Sequence, residues 1–270
     1  VERTLFNGEN LLIFDTIFES GDSPLSHSKN IELYGCTFRG NYPLWYSKDI
    51  KIQDCLAMET VQDGIWYADN VELTDTLYEA PRSLRRCDGV LLKNMNFTNA
   101  AETLWSCRNI RLQRVNAKGD YFAMHSQNIE VNHFTIAGNY AFEGVKNAEI
   151  RNAKILSKNA LWNTENVTVY DSYLTGACLG WNSENLTFIN CVIESAHGMC
   201  KIQNLVMEDC KLLNTTLAFE YSTVDVDIAS DIESVKNPSG GIIRADKINT
   251  LILEKHRIDP SAIQIICREQ

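Results

Sequence analysis

The chain has 270 residues, 44% of them apolar and 22% charged, an ordinary globular composition that excludes bulk disorder. Its formal charge of −10 argues against nucleic acid as a partner, because phosphates are held by basic clusters. No apolar run approaches the ~18 residues of a transmembrane helix, so no membrane partner is expected.

At the N-terminus, VERTLFNGEN offers neither a basic n-region nor an apolar h-region, and no secretory leader is read there. Nine cysteines, an odd number without paired short spacings, point to a reduced, cytoplasmic chain. Sequons at Asn96, Asn166, Asn185 and Asn214 are read as by-products of a repeat rather than as glycosylation sites.

The repeat shows in two neighbouring 19-residue stretches, NALWNTENVTVYDSYLTGA and CLGWNSENLTFINCVIESA. With the Asn before each apolar pair as anchor, the chain steps through Asn10, Asn30, Asp49, Asn70, Gly89, Asn109, Asn128, Asn147, Asn166, Asn185, Asn204, Thr223 and Thr250. The intervals are 19 to 21 residues, closing on one of 27. One and three residues after the anchor stand aliphatic residues such as Ile31 with Leu33 and Val167 with Val169, which is the strand period. A further small or apolar pair follows, as in Cys36 with Phe38, and another inward column runs through Leu25, Leu44, Ile65, Leu84, Leu104, Phe142 and Leu161.

Each repeat thus offers three short inward-facing segments and no helix. One such turn cannot bury its apolar side, whereas stacked turns can. The pattern predicts an all-β, single-stranded right-handed parallel β-helix, a solenoid of about thirteen coils over residues 1–230. Residues 231–270, with the turn signals Asn237-Pro238 and Gly240-Gly241, are expected to form the last coil and an irregular C-terminal cap. The anchor Asn, and an Asp or Asn five residues later (Asp54, Asp75, Asn94, Asn152, Asp171, Asn190, Asp209), suit left-handed turn geometry, with amides laddered from coil to coil. Cys36, Cys55, Cys191 and Cys210 share one phase and Cys87 and Cys107 another, so they are expected in the interior as small hydrophobes. Cys200 and His197 are too few for a metal site, and neither metal nor cofactor is expected.

All five tryptophans (Trp45, Trp66, Trp105, Trp162 and Trp181) fall four residues before the anchor, beside the inward column, and should face outward. The same side carries Tyr46, Tyr67, His125, Tyr121, Tyr140 and Glu143 together with Asp63, Arg82, Arg85, Arg86 and Glu102. Aromatic rows on a surface mark binding sites. Flat rings flanked by Asp, Asn, Arg and Tyr suit the C–H faces and hydroxyl edges of sugars, so carbohydrate is the expected partner. Asp63 and Glu102 share a phase two coils apart, within range of the ~6.5–9.5 Å carboxyl separation of inverting glycosidases. They are the candidate acid–base pair, although an arginine between them favours both charged forms and works against the acid role. Arg85 and Arg86 are candidates for stabilising charge in a lyase scheme. The alternative is a scaffold, in which the aromatic row is a protein interface or joins copies into a homo-oligomer.

The segments YPLWYSK (42–48), GIWY (64–67), ETLW (102–105), KGDYF (118–122), LGWNSENLTFINC (179–191), AFEYSTVD (218–225) and SVKNP (234–238) carry a resemblance to the pectin-lyase-like superfamily. More narrowly, the chain resembles a bacterial family of short β-helix proteins of unknown function. The resemblance implies the fold. Related β-helices commonly cleave acidic polysaccharides as lyases or hydrolases, but this chain shows neither the dense Asp cluster nor the calcium ligands of those enzymes.

Overall fold

The computed structural model describes residues 5–21 and 23–268; Glu269 and Gln270 of the expected cap lie outside them. The described residues form parallel strands and turns, with one 3-10 turn at Pro260–Ala262 and no α-helix. The chain divides into two compact units, Val1–Gly138 and Asn139–Gln270. Each is a parallel β-solenoid, and the chain makes about fourteen turns.

In the first unit the expected columns pair residue for residue. Leu11 aligns with Ile31, Ile31 with Ile50, Ile50 with Val71, Val71 with Val90, Val90 with Ile110 and Ile110 with Ile129. From Ile31 to Ile129 this column is buried, as are its partners two residues on; Leu11 and Ile13 stay half-exposed in the first turn. The inward column of the third face is also sealed at Leu25, Leu44, Ile65, Leu84 and Leu104. In-register stacking puts like on like at every step, and this lets so repetitive a sequence bury one continuous core.

The second unit repeats the scheme. Ala148 aligns with Val167, then Leu186, Leu205, Val224, Gly241 and Ile263. The last two steps differ from expectation. Thr250 is not the final anchor, because it lies on another face and pairs with Ser234. Gly241 occupies the aliphatic position instead, at φ 106°, where an ideal Cβ would stand 1.9 Å from the Val224 carbonyl oxygen. A template that seeks a branched side chain passes over a position that only glycine fits. Strand Ile263–Cys267 then continues the column, and Arg268 fastens this end by bonding Asp227, Asp246 and the Ile228 carbonyl.

Both polar turn columns adopt left-handed backbone. Asn30, Asn70, Asn109, Asn128, Asn166, Asn185 and Asn204 have positive φ, and so do Asp54, Asp75, Asn94, Asn152, Asp171, Asn190 and Asp209. The amides form ladders: Asn185 Nδ2 donates to Asn166 Oδ1 at 2.9 Å, and Asn204 Nδ2 donates to Asn185 Oδ1 at 2.7 Å. Asn185→Ala removes both bonds and leaves a side chain that tolerates φ 53° poorly. It is expected to cost about 1–3 kcal/mol in a urea titration, with Asn185→Gly restoring only the backbone part. An Ala variant equal to the parent would show that the ladder contributes nothing.

The cysteines pack as core groups. Cys36, Cys55, Cys87, Cys107, Cys191, Cys200 and Cys210 are buried and unbridged. The Cys36 N–H donates to Cys55 Sγ at 3.2 Å, and the Cys87 N–H to Cys107 Sγ at 3.4 Å. Burial pushes the Cys55 thiol up to about 11 and the Cys200 thiol up to about 12, from 9.0. The fold therefore holds the neutral thiols, and their contribution is complete below pH 9.0 and lost as pH rises toward 11 and 12. Stability is expected to fall through that window, and a Cys55→Ala/Cys200→Ala variant to fall less steeply. Identical alkaline slopes for parent and variant would contradict this.

Candidate functional site

In the first unit the aromatic face is built on a backbone ladder of its own. Ile65–Trp66 pairs in parallel with Leu84–Arg85, and Arg85 bridges onward to Trp105. The Tyr46, Tyr67 and Arg86 N–H groups donate to the carbonyls of Trp66, Arg85 and Trp105 at 3.0, 2.9 and 2.9 Å. Tyr42, Tyr46, Tyr67, Arg82, Arg86, Glu102, Tyr121 and His125 all have positive φ. For such bulky residues the left-handed region costs about 1 kcal/mol or more each. The inter-turn hydrogen bonds, available only in the stack, offset that cost. The reward is geometric, since each short segment turns several polar or aromatic side chains to one side while Leu44, Ile65, Leu84 or Leu104 stays inside.

These side chains form two columns. In one, Trp45 stacks on Trp66 (5.7 Å, 27°), and the Arg85 guanidinium lies 5.1 Å from the rings of both Trp66 and Trp105. In the other, Phe6 meets His27 at 5.1 Å, His27 meets Tyr46 at 5.2 Å, Tyr46 stacks on Tyr67 (4.8 Å, 5°), and Arg86 lies 5.9 Å from the Tyr67 ring. The tryptophans are half-buried rather than exposed: Trp45 and Trp66 cover one another, and Arg85 covers Trp105. Such contacts contribute about 0.5–1.5 kcal/mol per aromatic pair and about 0.5–2 kcal/mol per cation on a ring. Rings stacked along the column turn their faces toward one another and their edges to solvent.

The electrostatics of the face are uneven. Asp63 lies 3.0 Å from Arg82 Nε, yet that N–H is directed at the Gln62 carbonyl (3.2 Å), so the pair is ionic without a well-aimed hydrogen bond. Trp45 Nε1 is buried without an acceptor, whereas Trp66 Nε1 reaches the Arg82 carbonyl at 2.9 Å. Glu102 is half-buried one turn beyond Arg82, in the expected Asp63–Arg82–Glu102 order. Tyr121 is half-buried and His125 exposed, with Ser106 between His125 and Arg86 in their column.

Arg85 and Arg86 stand apart. The other described arginines each reach a carboxylate or, for Arg114, the Asn94 side chain. Among the described residues the Arg85 and Arg86 guanidinium groups have neither an ion pair nor a hydrogen bond, and Arg85 Nε is buried without a partner. In a chain with 35 acidic and 25 basic residues, two adjacent arginines without a carboxylate are a departure from chance pairing.

The second unit carries Tyr140, Glu143, Trp162 and Trp181. Tyr140 meets Trp162 edge-on (5.6 Å, 87°), Trp162 packs on Trp181 (4.9 Å, 39°), and Lys201 lies 4.9 Å over the Trp181 ring. Trp162 Nε1 donates to the Cys178 carbonyl at 2.6 Å, and Glu143 is half-buried beside Tyr140. A cavity of about 100 Å³ opens between Cys178, Trp181, His197, Lys201 and Tyr221. No cluster of three or more metal-ligating side chains occurs among the described residues, and none of their helices is long and apolar enough to cross a membrane.

The model of the family described as "Protein of unknown function (DUF3737)" matches residues 1–266. The chain belongs to that family. No curated protein matches this DUF3737 chain. Among solved structures it is similar to the A-module of the mannuronan C-5 epimerase AlgE4 of Azotobacter vinelandii, at 10% identity and TM-score 0.29, over 97% of this chain and 86% of that one. PfbA, a surface adhesin of Streptococcus pneumoniae, aligns at 10% identity and TM-score 0.34, over 92% of this chain and 75% of that one. QnrB1, a plasmid-mediated fluoroquinolone resistance protein, aligns at 13% identity and TM-score 0.30, over 76% and 91%.

In this DUF3737 chain the expected site residues fall into two groups, one per unit, and within each the tryptophans share a column as their phase implied. Sequence reasoning missed His27, which extends the Tyr46 stack, and Lys201, which covers Trp181. Both stand three residues before an anchor Asn, the phase of Tyr46, so the repeat itself held the signal.

Proposed function

We propose that the DUF3737 solenoid is a saccharide-binding protein and that the face from Tyr42 to His125 is its binding surface. The observation that supports this most directly is the side-chain set of that face. Aromatic rings, tyrosine hydroxyls and two arginines without a carboxylate partner lie in register along one side of successive turns. A repeating polymer meets such a surface with the same groups at regular steps. Trp45, Tyr46, Trp66, Tyr67, Trp105, Tyr121 and His125 would line the ligand's path, with Tyr140, Glu143, Trp162 and Trp181 forming a separate patch in the second unit. Assignment to the pectin-lyase-like superfamily, a bacterial origin and a cytoplasmic location belong to the same reading; the core packing of the cysteines supports the last.

The reading stops at binding. Hydrolysis would assign Asp63 and Glu102 as base and acid, but Arg82 already engages the Asp63 carboxylate. Titrating the protein with a panel of neutral and charged oligosaccharides while following tryptophan fluorescence tests the proposal. Binding that Trp66→Ala weakens supports it; no response to any member of the panel overturns it.

A second reading has one observation in its favour, since tryptophan, tyrosine and arginine are also the residues that dominate protein interfaces. It predicts a dimer or larger species in light scattering that Arg86→Glu dissociates. A monomer at all concentrations removes it.

A further inference from the structure

We infer that the second unit holds a thiol-oxidation site: at Cys178 a small hydroperoxide forms a sulfenic acid, with His197 carrying the proton and Lys201 stabilising the developing charge. This stands apart from the saccharide-binding reading. The cavity of about 100 Å³ is the first ground, for its lining brings two thiols, Cys178 and Cys200, together with His197, Lys201, Glu220 and Tyr221 beside the Trp181 ring. The repeat is the second. The Cys178 N–H donates to the Ala196 carbonyl at 2.9 Å, which sets half-buried Cys178 over exposed His197 on the next turn. Both have left-handed backbone, at φ 55° and 51°, so their side chains leave the stack in the same direction. Neighbouring turns lie ~4.8 Å apart, which puts thiol and imidazole within reach of a proton transfer. The charges suit a developing anion. Lys236 engages Glu220 at 2.9 Å, whereas Lys201 lies 4.9 Å over the Trp181 ring instead of on a carboxylate.

The step balances on these groups. The Cys178 sulfur attacks one peroxide oxygen, an S–O bond forms and the O–O bond breaks. The thiol proton passes through His197 to the departing oxygen, which leaves as water or an alcohol. Sulfur gives up two electrons and the peroxide takes them. Cys200 is a poor second thiol, because its S–H is turned to the His197 carbonyl at 3.3 Å and burial pushes it up to about 12. The sulfenic acid therefore stays open to a small soluble thiol, which condenses with it to a mixed disulfide and releases water.

Treating the full chain with hydrogen peroxide and dimedone, which traps sulfenic acids, and mapping the adducts by peptide mass spectrometry tests this. Cys267, exposed in the last strand, is the reference within the same chain. The expected result is an adduct at Cys178 that forms about 10-fold faster than at Cys267, although Cys267 is the more exposed. His197→Asn, which keeps a side chain suited to the left-handed turn, should slow it about 100-fold, the low end of what a positioned acid–base group contributes. Lys201→Met should slow it about 10-fold. Circular dichroism and the urea midpoint confirm that each variant is folded. Cys200→Ala should leave the adduct yield unchanged, and a rise would overturn the inert role given to Cys200. An adduct at Cys178 that forms no faster than at Cys267, or that His197→Asn leaves unmoved, overturns the inference.

Discussion

Gly64→Ala is expected to destabilise the first unit by about 3 kcal/mol or more, although it adds a single methyl group. An ideal Cβ at Gly64 would stand 2.2 Å from the Ser83 carbonyl oxygen and 2.4 Å from the Tyr78 hydroxyl oxygen. Ser83 cannot give way cheaply, because its carbonyl accepts the Ile65 N–H at 2.7 Å and thereby closes the pairing of Ile65–Trp66 with Leu84–Arg85. The damage should therefore spread to the aromatic face, and a red-shifted Trp66 should report it. Tyr78 offers a partial control. Its hydroxyl is buried without a partner, and burial pushes the phenol up. Tyr78→Phe alone should be neutral or mildly stabilising, and in the double variant it should relieve one of the two clashes but not the backbone one. A Gly64→Ala protein with the parent's urea midpoint would mean that the turns are not packed as closely as described.

The second large effect belongs to the core of the second unit. Phe188 is fully buried in strand Glu184–Ile189, aligned with Val169 on one side and Met207 on the other. Phe188→Ala is expected to cost about 3–5 kcal/mol, a large part of the ~5–15 kcal/mol that domains have to lose. In a solenoid each turn leans on its neighbours alone, so the loss should be local. Amide exchange should accelerate in Glu165–Tyr170 and Gln203–Leu212 before it does in Gly240–Ala245. Phe188→Leu, which nearly fills the space, should cost about 1.5 kcal/mol or less. Uniform acceleration across the unit would show instead that it unfolds as one cooperative body.

Much of this fold could be read from residue order. The aliphatic columns, the two left-handed polar turns and the interior cysteines appear where periodicity placed them, because a parallel in-register stack converts each sequence phase directly into one line of contacts. The reading slipped at Gly241 and Thr250, where a shortened turn and then a lengthened one displaced the count and glycine stood where an aliphatic residue was sought.

The candidate face was legible in a different measure. Its membership followed from phase, since Trp45, Trp66 and Trp105 share a position in the repeat and so a column in the first unit. Phase gives no ring orientation. That the indoles stack upon one another, that Arg85 lies between two of them, and that Arg82 takes up both Asp63 and the Gln62 carbonyl are consequences of side-chain packing across turns some twenty residues apart. Residue order alone determined the parallel stack and which residues share a line, because backbone pairing repeats with the chain. Only the tertiary structure decided which charges are neutralised and which way each ring turns, because those depend on competition among neighbours from different turns for the same few partners.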